Sequence, residues 1–243
     1  MNKPSPPSIR CCSLSVGYDG NPVLEDLSFT VEEGSTLALV GRSGCGKTTL
    51  LKTLAGILVP LEGEATVLET QLPQSPPPGT VGYIPQGLGL VMHGTVLRNV
   101  LHGTLADLSR TRSLLGRFPE QAQREARIAI EAVGLAGKEH SRVKELSGGQ
   151  RRRVAIARAL VQEPRVLFAD EILSELDNET AQSIVDCVRS LQAEMGMTVV
   201  VVEHNLDIAR EISDRLIRVE DGSISERIEP TTVVHEGAQW MYD

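Results

Sequence analysis

Hydrophobic and polar residues alternate along residues 9–31, on either side of an Asp-Gly-Asn-Pro turn at residues 19–22. Such an alternation, interrupted by turn-forming residues, is typical of a β-hairpin. A further strand is predicted at residues 64–68. The pattern therefore predicts antiparallel β structure in the N-terminal part of the chain.

The rest of the chain alternates short apolar stretches with segments of helical periodicity. The pattern predicts strands at residues 36–40, 81–85, 166–169 and 198–203, and helices at residues 47–55, 148–162 and 179–195. Residues 95–133 lack strand signals, and Ala122, Ala126, Ile130 and Val133 recur at helical spacing. This order predicts parallel βαβ units in an α/β core, with a helical subdomain inserted between two parts of that core.

A glycine-rich loop at residues 41–48 follows the strand predicted at residues 36–40 and reads Gly-Arg-Ser-Gly-Cys-Gly-Lys-Thr. Glycines allow backbone amides to point at phosphate oxygens, and the helix that begins here adds its positive end. Lys47 can reach the β- and γ-phosphates of a nucleoside triphosphate, and the Thr48 hydroxyl can ligate Mg²⁺. A flexible glycine turn with an exposed lysine is the alternative, and the preceding strand argues against it. The residues assigned to the nucleotide are Gly41, Arg42, Ser43, Gly44, Cys45, Gly46, Lys47, Thr48 and Thr49.

Two acids, Asp170 and Glu171, end the strand predicted at residues 166–169. They are expected at the edge where parallel sheets bind ligands. Asp170 can hold Mg²⁺, mostly through water, and Glu171 can polarise an attacking water. Two adjacent acids alone are equally well explained as solvated loop charges. Because P-loop enzymes need an acid at this point, the phosphate loop favours the functional interpretation.

A second anion-binding surface is predicted at the start of the helix at residues 148–162. Ser147, Gly148, Gly149 and Gln150 supply a hydroxyl and two unobstructed backbone amides there. An ordinary helix N-cap explains Ser147 equally well when it is taken alone. Whether the two phosphate-binding elements face one nucleotide within a single chain or across a dimer stays open from these residues.

The composition is that of an ordinary globular protein, with 41% hydrophobic and 23% charged residues. A net charge of −8 disfavours nucleic-acid binding, because that affinity rests on lysine and arginine side chains that neutralise phosphates. The four cysteines, Cys11, Cys12, Cys45 and Cys187, lack metal-ligand spacing and are expected to be reduced thiols of a cytosolic protein.

The N-terminal residues and the apolar runs of the chain do not indicate membrane insertion. Residues 1–8 are polar and proline-rich, unlike a secretion signal. The aliphatic run at residues 199–202 is far shorter than the about 20 residues that a spanning helix requires. We therefore expect a soluble chain whose membrane function, if it has one, comes through a partner.

Taken together, these motifs resemble the ATP-binding subunit of ABC transporters over residues 9–228. The match also includes Gln86 after its strand, residues 174–177, and His204 after a final strand. The resemblance implies an α/β P-loop NTPase fold with a mixed β core, an N-terminal antiparallel β subdomain and an inserted α-helical subdomain at about residues 90–162. It implies a single ATP-binding domain at residues 9–228, followed by a C-terminal tail at residues 229–243.

The resemblance also assigns roles to individual residues. Two subunits are expected to close head to tail, so that each ATP lies between the phosphate loop of one copy and residues Ser147 to Gln150 of the other. The implied roles are catalysis for Lys47, Gln86, Glu171 and His204, adenine stacking for Tyr18, coupling of the two sites for Asp177, and Mg²⁺ binding for Thr48, Gln86 and Asp170.

Structural alternatives exist for four of these assignments. Tyr18 is otherwise a hairpin tyrosine with ordinary packing, and Gln86 is otherwise a simple loop amide. His204 is otherwise an incidental strand-end histidine, and Asp177 is otherwise a helix cap before Asn178.

Partners and location follow from the same resemblance. It implies two transmembrane permease subunits, an extracytoplasmic solute-binding protein that acts indirectly, and a peripheral position on the cytoplasmic face of the bacterial plasma membrane. Residues 108–119 look like the helical segment of phosphonate-importer ATPases, which implies import of phosphonate, phosphite or a similar oxyanion. Import of another nutrient, a soluble ABC ATPase of an assembly complex such as cluster assembly, and a non-hydrolysing regulatory module are the alternatives.

Several residues depart from the family pattern. Ile172 stands where the family usually has proline, Glu175 where a small residue is usual, and Asn205 where aspartate is more common. A bulky acid beside the dimer interface is expected to weaken closure. The arginines at residues 151–153 and Arg158 are expected to form a solvated or dimer-facing helix surface rather than to contact phosphate.

Overall fold

Two β-sheets and six α-helices form the part of the chain that the structure describes, a computed structural model covering residues 6–106 and 118–228. The strands are β1 (Ile9–Tyr18), β2 (Asn21–Val31), β3 (Thr36–Val40), β4 (Glu62–Val67), β5 (Thr70–Gln71), β6 (Val81–Ile84), β7 (Val166–Asp170), β8 (Thr198–Glu203), β9 (Arg215–Glu220) and β10 (Ser223–Ile228). The helices are α1 (Lys47–Leu54), α2 (Val96–Leu101), α3 (Glu120–Ala132), α4 (Gly148–Leu160), α5 (Asn178–Met195) and α6 (Leu206–Ile212), with 3-10 turns at His102–Ala106 and Val143–Glu145.

The first sheet is antiparallel, with strand order β2-β1-β4-β5. The β1–β2 hairpin turns at Asp19 and Gly20, both of which have positive φ, as a tight hairpin turn requires. Its buried apolar residues, including Leu14 and Leu24, pack against helix α1 in one hydrophobic cluster. The predicted hairpin and N-terminal antiparallel subdomain are therefore confirmed.

The second sheet carries the chemistry, because it brings the carboxyl ends of three central strands to one edge. Its order is β10-β9-β3-β8-β7-β6; the pairing is parallel from β9 to β6, and β10 pairs antiparallel with β9. Val40 at the end of β3 pairs with Glu203 of β8, and Asp170 at the end of β7 pairs with Val202. The phosphate loop, the acid pair and Glu203 therefore emerge side by side.

Strand β8 illustrates how the second sheet is packed on both of its faces. Every residue of β8 is buried, as is typical of a parallel strand covered on both faces. Val199 and Val201 pack into the cluster on the side of helices α4 and α5, whereas Val200 and Val202 pack into the cluster that contains α1 and the first sheet. The sheet thus lies between two apolar cores.

Helices α2, α3 and α4 pack against one another between β6 and β7, in agreement with the predicted helical insertion. Ala122, Ala126, Ile130 and Val133 are all buried, as their spacing predicts. Residues 108–117 of the segment that resembles phosphonate-importer ATPases lie outside the described residues, as does the tail at residues 229–243. The proposed limits of the domain and of its helical part stay predictions.

The hydrophobic pattern predicts no element after residue 203, yet the structure continues with α6, β9 and β10. Each of these elements has seven residues or fewer, which is too short for a clear period. Asn205 caps α6, and Asp221 and Gly222 form the β9–β10 turn with positive φ. No helix in the described part of the chain is long and apolar enough to cross a membrane.

Candidate active site

The phosphate loop joins the end of β3 to helix α1. At two of its glycines there is no room for a side chain. A Cβ atom on Gly41 would come 2.3 Å from the carbonyl oxygen of Val219, and one on Gly46 would come 2.8 Å from the side chain of Leu24. Gly46 also has a φ of 102°, which disfavours any other residue. Gly44 has positive φ but open space around it, so its position leaves room for a ligand.

Lys47 is the first residue of α1 and its side chain folds back under the loop. It is only 4% exposed, and its Nζ atom donates to the carbonyl oxygens of Gly41 at 2.8 Å and of Arg42 at 2.9 Å. A weaker contact of 3.8 Å joins Nζ to Sγ of Cys45. The lysine therefore brings a fixed positive charge to the centre of the loop, rather than the exposed flexible lysine of the alternative interpretation.

Thr48 and Asp170 are in direct contact. The Thr48 hydroxyl donates to Oδ1 of Asp170 at 3.0 Å, which links the first turn of α1 to the end of β7. Asp170 is 1% exposed. Burial raises the pKa of Asp170 and the charge of Glu171 adds to this effect, while the hydrogen bond from Thr48 opposes it. A buried carboxylate of this kind gains stability from a neighbouring cation.

Glu171 is held by a side chain and by a neighbouring strand. Nε2 of Gln86 donates to Oε2 of Glu171 at 2.7 Å, and the backbone N–H of Glu171 donates to the carbonyl of Val202 at 2.9 Å. Glu171 has a φ of 51°, in the left-handed region that non-glycine residues rarely adopt. The backbone strain and the short hydrogen bond together fix the direction of this carboxylate.

A cavity of about 310 Å³ brings most of the predicted nucleotide site together. It is lined by Tyr18, Val23, Ser43, Gly44, Gly46, Lys47, Thr48, Thr49, Gln86 and Glu171. Tyr18 is 46% exposed, and its Oη accepts a hydrogen bond of 3.4 Å from the hydroxyl of Thr49. Its ring is therefore anchored at one end and open on the side that a base could stack against.

A larger cavity of about 510 Å³ lies at the opposite end of the molecule, against α3 and the end of α5. Ile128 and Met195 give it an apolar lining, and its charged residues are four glutamates and one arginine: Glu33, Glu125, Glu163, Glu194 and Arg165. It contains none of the predicted site residues. Because carboxylates repel polyphosphates, the smaller cavity is the better nucleotide site.

The signature residues begin helix α4 and are not among the residues that line the smaller cavity. Ser147 is the N-cap of α4: its hydroxyl accepts from the backbone of Gln150 at 3.3 Å, and the Gln150 side chain accepts from the backbone of Ser147 at 3.2 Å. A Cβ on Gly149 would come 2.5 Å from Thr180 of α5, so that glycine allows helix packing, whereas Gly148 is exposed. The N-cap interpretation thus accounts for Ser147 within one chain, and the role of these residues across a dimer stays a prediction.

Two further predicted residues also lie apart from the described cavity lining. His204 is exposed directly after β8 and is not one of the residues that line the cavity. Asp177 is the N-cap of α5, where its carboxylate accepts from the backbone N–H of Thr180 at 2.9 Å and from the Thr180 hydroxyl at 2.7 Å. These hydrogen bonds lower the pKa of Asp177. The helix cap is therefore present, and the catalytic role of His204 and the coupling role of Asp177 stay predictions.

The residues that depart from the family pattern have local explanations. Ile172 is 1% exposed and belongs to the apolar core. Glu175 is exposed with a φ of 61°. Asn205 caps α6 by accepting from the backbone of Asp207 at 2.9 Å, a role that asparagine and aspartate fill equally well.

The arginines for which a solvated or dimer-facing surface on α4 is predicted are half-buried, so they are not simply solvated, and whether they face a second copy stays a prediction. All four arginines donate to backbone carbonyls of the same chain: Arg151 to Val143 and Lys144, Arg152 to Ile172 and Ser174, Arg153 to Val133 and Ser183, and Arg158 to Leu88 and Gly89. A planar guanidinium can hold two carbonyls at once, so each arginine fastens α4 to a different neighbouring segment. Helical spacing alone carries no signal of such partners.

Glu203 is a residue that the sequence pattern treats only as the end of a strand. It is 1% exposed, and its Oε1 accepts from the backbone N–H of Leu173 at 3.1 Å. The pKa of Glu203 is raised to about 7: burial is the largest cause and the charges of Glu171 and Asp170 act in the same direction, while the Leu173 hydrogen bond and Arg152 oppose them. A carboxylate at the end of an apolar strand, one residue before His204, is the signal that could have drawn attention to it.

The donor set around Asp170 fits Mg²⁺. A threonine hydroxyl, an amide oxygen and a carboxylate are the hard oxygen ligands that this ion prefers, and it commonly keeps water or substrate phosphates as its other ligands. In the described residues, no group of three or more His, Cys, Asp or Glu could hold a metal ion by itself. Thr48, Gln86 and Asp170 thus stay a predicted site for an ion that arrives with phosphate.

Comparison with known proteins agrees with the geometry. A family model described as "ABC transporter" matches residues 24–174. The chain is 35% identical over 246 residues to a phosphonates import ATP-binding protein of Bdellovibrio bacteriovorus, with 98% of this chain and 94% of that protein covered. It is 40% identical over 204 residues to an Fe(3+) ions import ATP-binding protein of Rhizobium etli, with 84% of this chain and 56% of that protein covered.

Solved structures lead to the same family. The ADP conformation of MJ1267, an ATP-binding cassette of an ABC transporter, has a TM-score of 0.81 at 27% identity, covering 93% of this chain and 92% of that one. The dimeric structure of MJ0796, a bacterial ABC transporter cassette, has a TM-score of 0.77 at 26% identity, covering 92% and 99%. The predicted fold class is thereby confirmed. This chain belongs to the ABC transporter family, in which it is an ATP-binding, ATP-hydrolysing subunit.

Proposed function

We propose that two copies of this chain bind Mg²⁺ and ATP between them and, on the cytoplasmic face of the bacterial plasma membrane, drive the import of phosphonate, phosphite or a similar oxyanion. The observation that carries the catalytic part is the 2.7 Å contact between Gln86 and Glu171, in a cavity that Lys47 and Thr48 also line. Phosphate binding, a cation site and an acid directed by an amide are thus within one small space.

The phosphate loop supplies the binding energy. Lys47 already uses two donors on the carbonyls of Gly41 and Arg42, and its third N–H has only the 3.8 Å contact with Cys45. A phosphate oxygen is a far stronger acceptor than a thiol, so it would take this third donor. The backbone amides of Gly44 to Thr48 and the positive end of α1 add to the attraction.

Hydrolysis depends on Glu171 and on charge neutralisation around the γ-phosphate. In this scheme Glu171 orients or deprotonates the attacking water, and Gln86 holds its carboxylate in place. When bound, Mg²⁺ would neutralise charge on the phosphates, with Thr48, Gln86 and Asp170 as its protein ligands. Lys47 stabilises the developing negative charge, and His204 contacts the γ-phosphate after a movement of its exposed side chain.

The position of the signature residues supports the proposed dimer. Ser147 and Gly148 are exposed at the start of α4 and do not belong to the described cavity of their own chain, which supports a role on the ATP of a second copy. The related cassette MJ0796 has been solved as a dimer. In this arrangement Asp177, exposed at the start of α5, would lie near the seam and couple the two sites.

In this proposal, work on a solute is done through partners in the membrane; no helix in the described residues is itself long and apolar enough to cross it. We propose two permease subunits that dock beside the loop after Gln86, where Val91 and Met92 are exposed at 49% and 37%. A solute-binding protein would act on the other side of the membrane. Movement of Gln86 on ATP binding would then reach the permeases through this loop and the helices α2 to α4.

The identity of the solute rests on relatives alone. The phosphonates import protein of Bdellovibrio bacteriovorus aligns along nearly its whole length, whereas the Fe(3+) importer of Rhizobium etli is matched over 56% of its length. The first alignment favours an oxyanion. The second favours import of another nutrient as the alternative function, because its identity over the shared part is higher.

The test is purification of the native complex, followed by ATP hydrolysis in membrane vesicles with the solute-binding protein. Methylphosphonate, phosphite, ferric citrate and spermidine are added one at a time. We expect copurified membrane subunits and stimulation by methylphosphonate or phosphite only. Stimulation by ferric citrate or spermidine alone would establish the alternative solute, and a complex without any membrane protein would favour a soluble assembly ATPase.

A further inference from the structure

The loop that joins Glu171 to Asp177 is held by two side chains that the scheme above does not use, Arg152 and Glu203. Arg152 belongs to helix α4, which precedes this loop in the sequence, and Glu203 ends strand β8, which follows it. Their contacts fall on three consecutive residues, Ile172, Leu173 and Ser174, immediately after Glu171.

Arg152 fastens the loop to the start of α4. Its Nε donates to the carbonyl of Ile172 at 2.5 Å, and its Nη2 donates to the carbonyl of Ser174. Nη1 also lies 3.4 Å from the carbonyl of Gly148, one helical turn earlier. One guanidinium therefore connects the first turn of α4 with the loop that follows Glu171.

Glu203 fastens the same loop to the end of β8. Its Oε1 accepts from the N–H of Leu173 at 3.1 Å, although the side chain is buried beside two other acids, Asp170 and Glu171. A neutral side chain could accept this hydrogen bond without the cost of burying a charge. The positive charge of Arg152 acts on Glu203 and reduces this cost, and the two side chains hold consecutive residues of the same loop.

We infer that Arg152 and Glu203 are positioning residues that couple the first turn of α4 to the Glu171 carboxylate. This inference rests on the proposed dimer, in which the start of α4 faces the ATP of the partner while Glu171 faces the ATP of its own chain. A displacement of α4 when the partner's ATP binds is carried by Arg152 to the Ile172 carbonyl, next to Glu171. Glu203 holds the intervening Leu173 against β8, so the displacement turns Glu171 instead of shifting the whole loop.

Other contacts of Glu171 stay within its own site. Gln86 holds the carboxylate, Val202 holds its backbone N–H, and the Ser174 hydroxyl donates to the Glu171 carbonyl at 2.8 Å. None of these three contacts involves α4. The link through Arg152 is thus a direct side-chain hydrogen-bonded connection between the signature helix and the loop after Glu171, in addition to the apolar packing of that loop.

The test measures ATP hydrolysis by the full chain as a function of ATP concentration, with kcat, KM and the Hill coefficient as separate results. Arg152→Gln removes the positive charge and the guanidinium that donates to two carbonyls, whereas Arg152→Lys keeps the positive charge alone. Glu203→Gln keeps an oxygen that can accept from Leu173. Arg153→Gln is the matched control, because Arg153 lies on the same helix and also holds carbonyls, but those of Val133 and Ser183. A fluorescent ATP analogue measures nucleotide affinity, and circular dichroism measures the folded fraction.

We expect cooperative turnover in the wild type and in Arg153→Gln. In Arg152→Gln the Hill coefficient falls to about 1 and kcat falls about tenfold, while the affinity for the ATP analogue changes less than about twofold. Glu203→Gln gives smaller falls in kcat and in the Hill coefficient. In the double variant Arg152→Gln/Glu203→Gln, these two values fall no further than in Arg152→Gln alone. Arg152→Lys, which best preserves folding, shows the same loss of cooperativity with a smaller fall in kcat.

Several results would overturn the inference. Cooperative turnover that is equal in the wild type and in folded Arg152→Lys would limit these residues to a structural role, as would equal losses in Arg153→Gln. Turnover by the wild type with a Hill coefficient of about 1 would mean that the two ATP sites are not coupled, which would contradict the inference. A wild-type chain that binds no ATP contradicts the proposed function as a whole, whereas ATP binding with unaltered cooperativity in the variants contradicts only this inference.

Discussion

The Nε2 atom of Gln86 donates a 2.7 Å hydrogen bond to Oε2 of Glu171, although 85 residues separate them in the chain. Gln86 follows β6 and Glu171 follows β7, and these neighbouring parallel strands bring the two side chains together at one edge of the sheet. The contact directs the carboxylate toward the cavity that also contains Lys47. This position supports the proposed action of Glu171 on a water beside the γ-phosphate.

Substitution Glu171→Gln should separate ATP binding from ATP hydrolysis. Glutamine has the same shape but cannot take a proton, so hydrolysis should fall at least about 100-fold while ATP affinity stays within about threefold. Phosphate release and equilibrium binding measure the two effects. Glu131→Gln is the control, because Glu131 is exposed on α3 and is not among the residues that line the cavity. Undiminished hydrolysis in Glu171→Gln would remove Glu171 from its assigned role.

Substitution Asp170→Asn should stabilise the nucleotide-free protein and abolish Mg²⁺-dependent hydrolysis. Burial raises the pKa of Asp170, so its charged form is costly in the fold, and asparagine removes that cost while it can still accept from Thr48. Thermal unfolding in EDTA should give a higher Tm, and hydrolysis with Mg²⁺ should fall at least about 100-fold. A lower Tm together with normal hydrolysis would show that Asp170 has a structural role and does not hold the ion.

The stability of the nucleotide-free protein should depend on pH through Glu203. Its pKa in the fold is about 7, against an ordinary value of 4.5, so the native state binds this proton more tightly than the unfolded state does. The resulting stability is complete below pH 4.5 and is lost as the pH rises through 7. Relative to the wild type, Glu203→Gln should thus gain on the order of 3 kcal/mol in the free energy of unfolding by pH 8.

Urea unfolding of both proteins in EDTA, between pH 5 and pH 8, measures this difference directly. Both proteins keep Asp170, so its own titration largely cancels in the comparison. A difference that is constant across this range would mean that Glu203 is ionised throughout.

Alkylation of Cys45 should block nucleotide binding. Its thiol is partly exposed and lies 3.8 Å from Nζ of Lys47, so an added N-ethylmaleimide group would occupy the space of the phosphates. We expect ATP affinity to fall about tenfold or more after the reaction. The variant Cys45→Ala keeps the exposed Cys12, which the reagent can still modify, and its ATP affinity should not change after the reaction. Retained affinity with Cys45 fully modified would refute the steric explanation.

The sequence predicts those features that depend on adjacent residues. The phosphate loop is one continuous stretch, and the helix predicted at residues 179–195 is observed at Asn178–Met195, because Asp177 caps its start and Gly196, with positive φ, ends it. The acids Asp170 and Glu171 are predicted at a sheet edge from the strand before them. In each case the signal lies within a few residues of the feature.

Contacts between distant parts of the chain are not predictable in this way. The pairing of Gln86 with Glu171 depends on the order of strands in the sheet, and the expectation for Gln86 came from family resemblance alone. Arg152 was expected on a solvated or dimer-facing surface, but it holds the carbonyls of Ile172 and Ser174. Only the packing of α4 beside this loop, which no local pattern reveals, brings these groups together.

The central claim is that two copies of the chain enclose ATP between the phosphate loop of one and the signature residues of the other. Light scattering of Glu171→Gln with Mg²⁺ and ATP tests it most directly, with Ser147→Arg added in the same background to block the start of α4. We predict twice the 26.3 kDa mass of one chain for Glu171→Gln, and a monomer that still binds ATP for the double variant. An ATP-saturated monomer of Glu171→Gln, or a dimer that Ser147→Arg leaves intact, would contradict it.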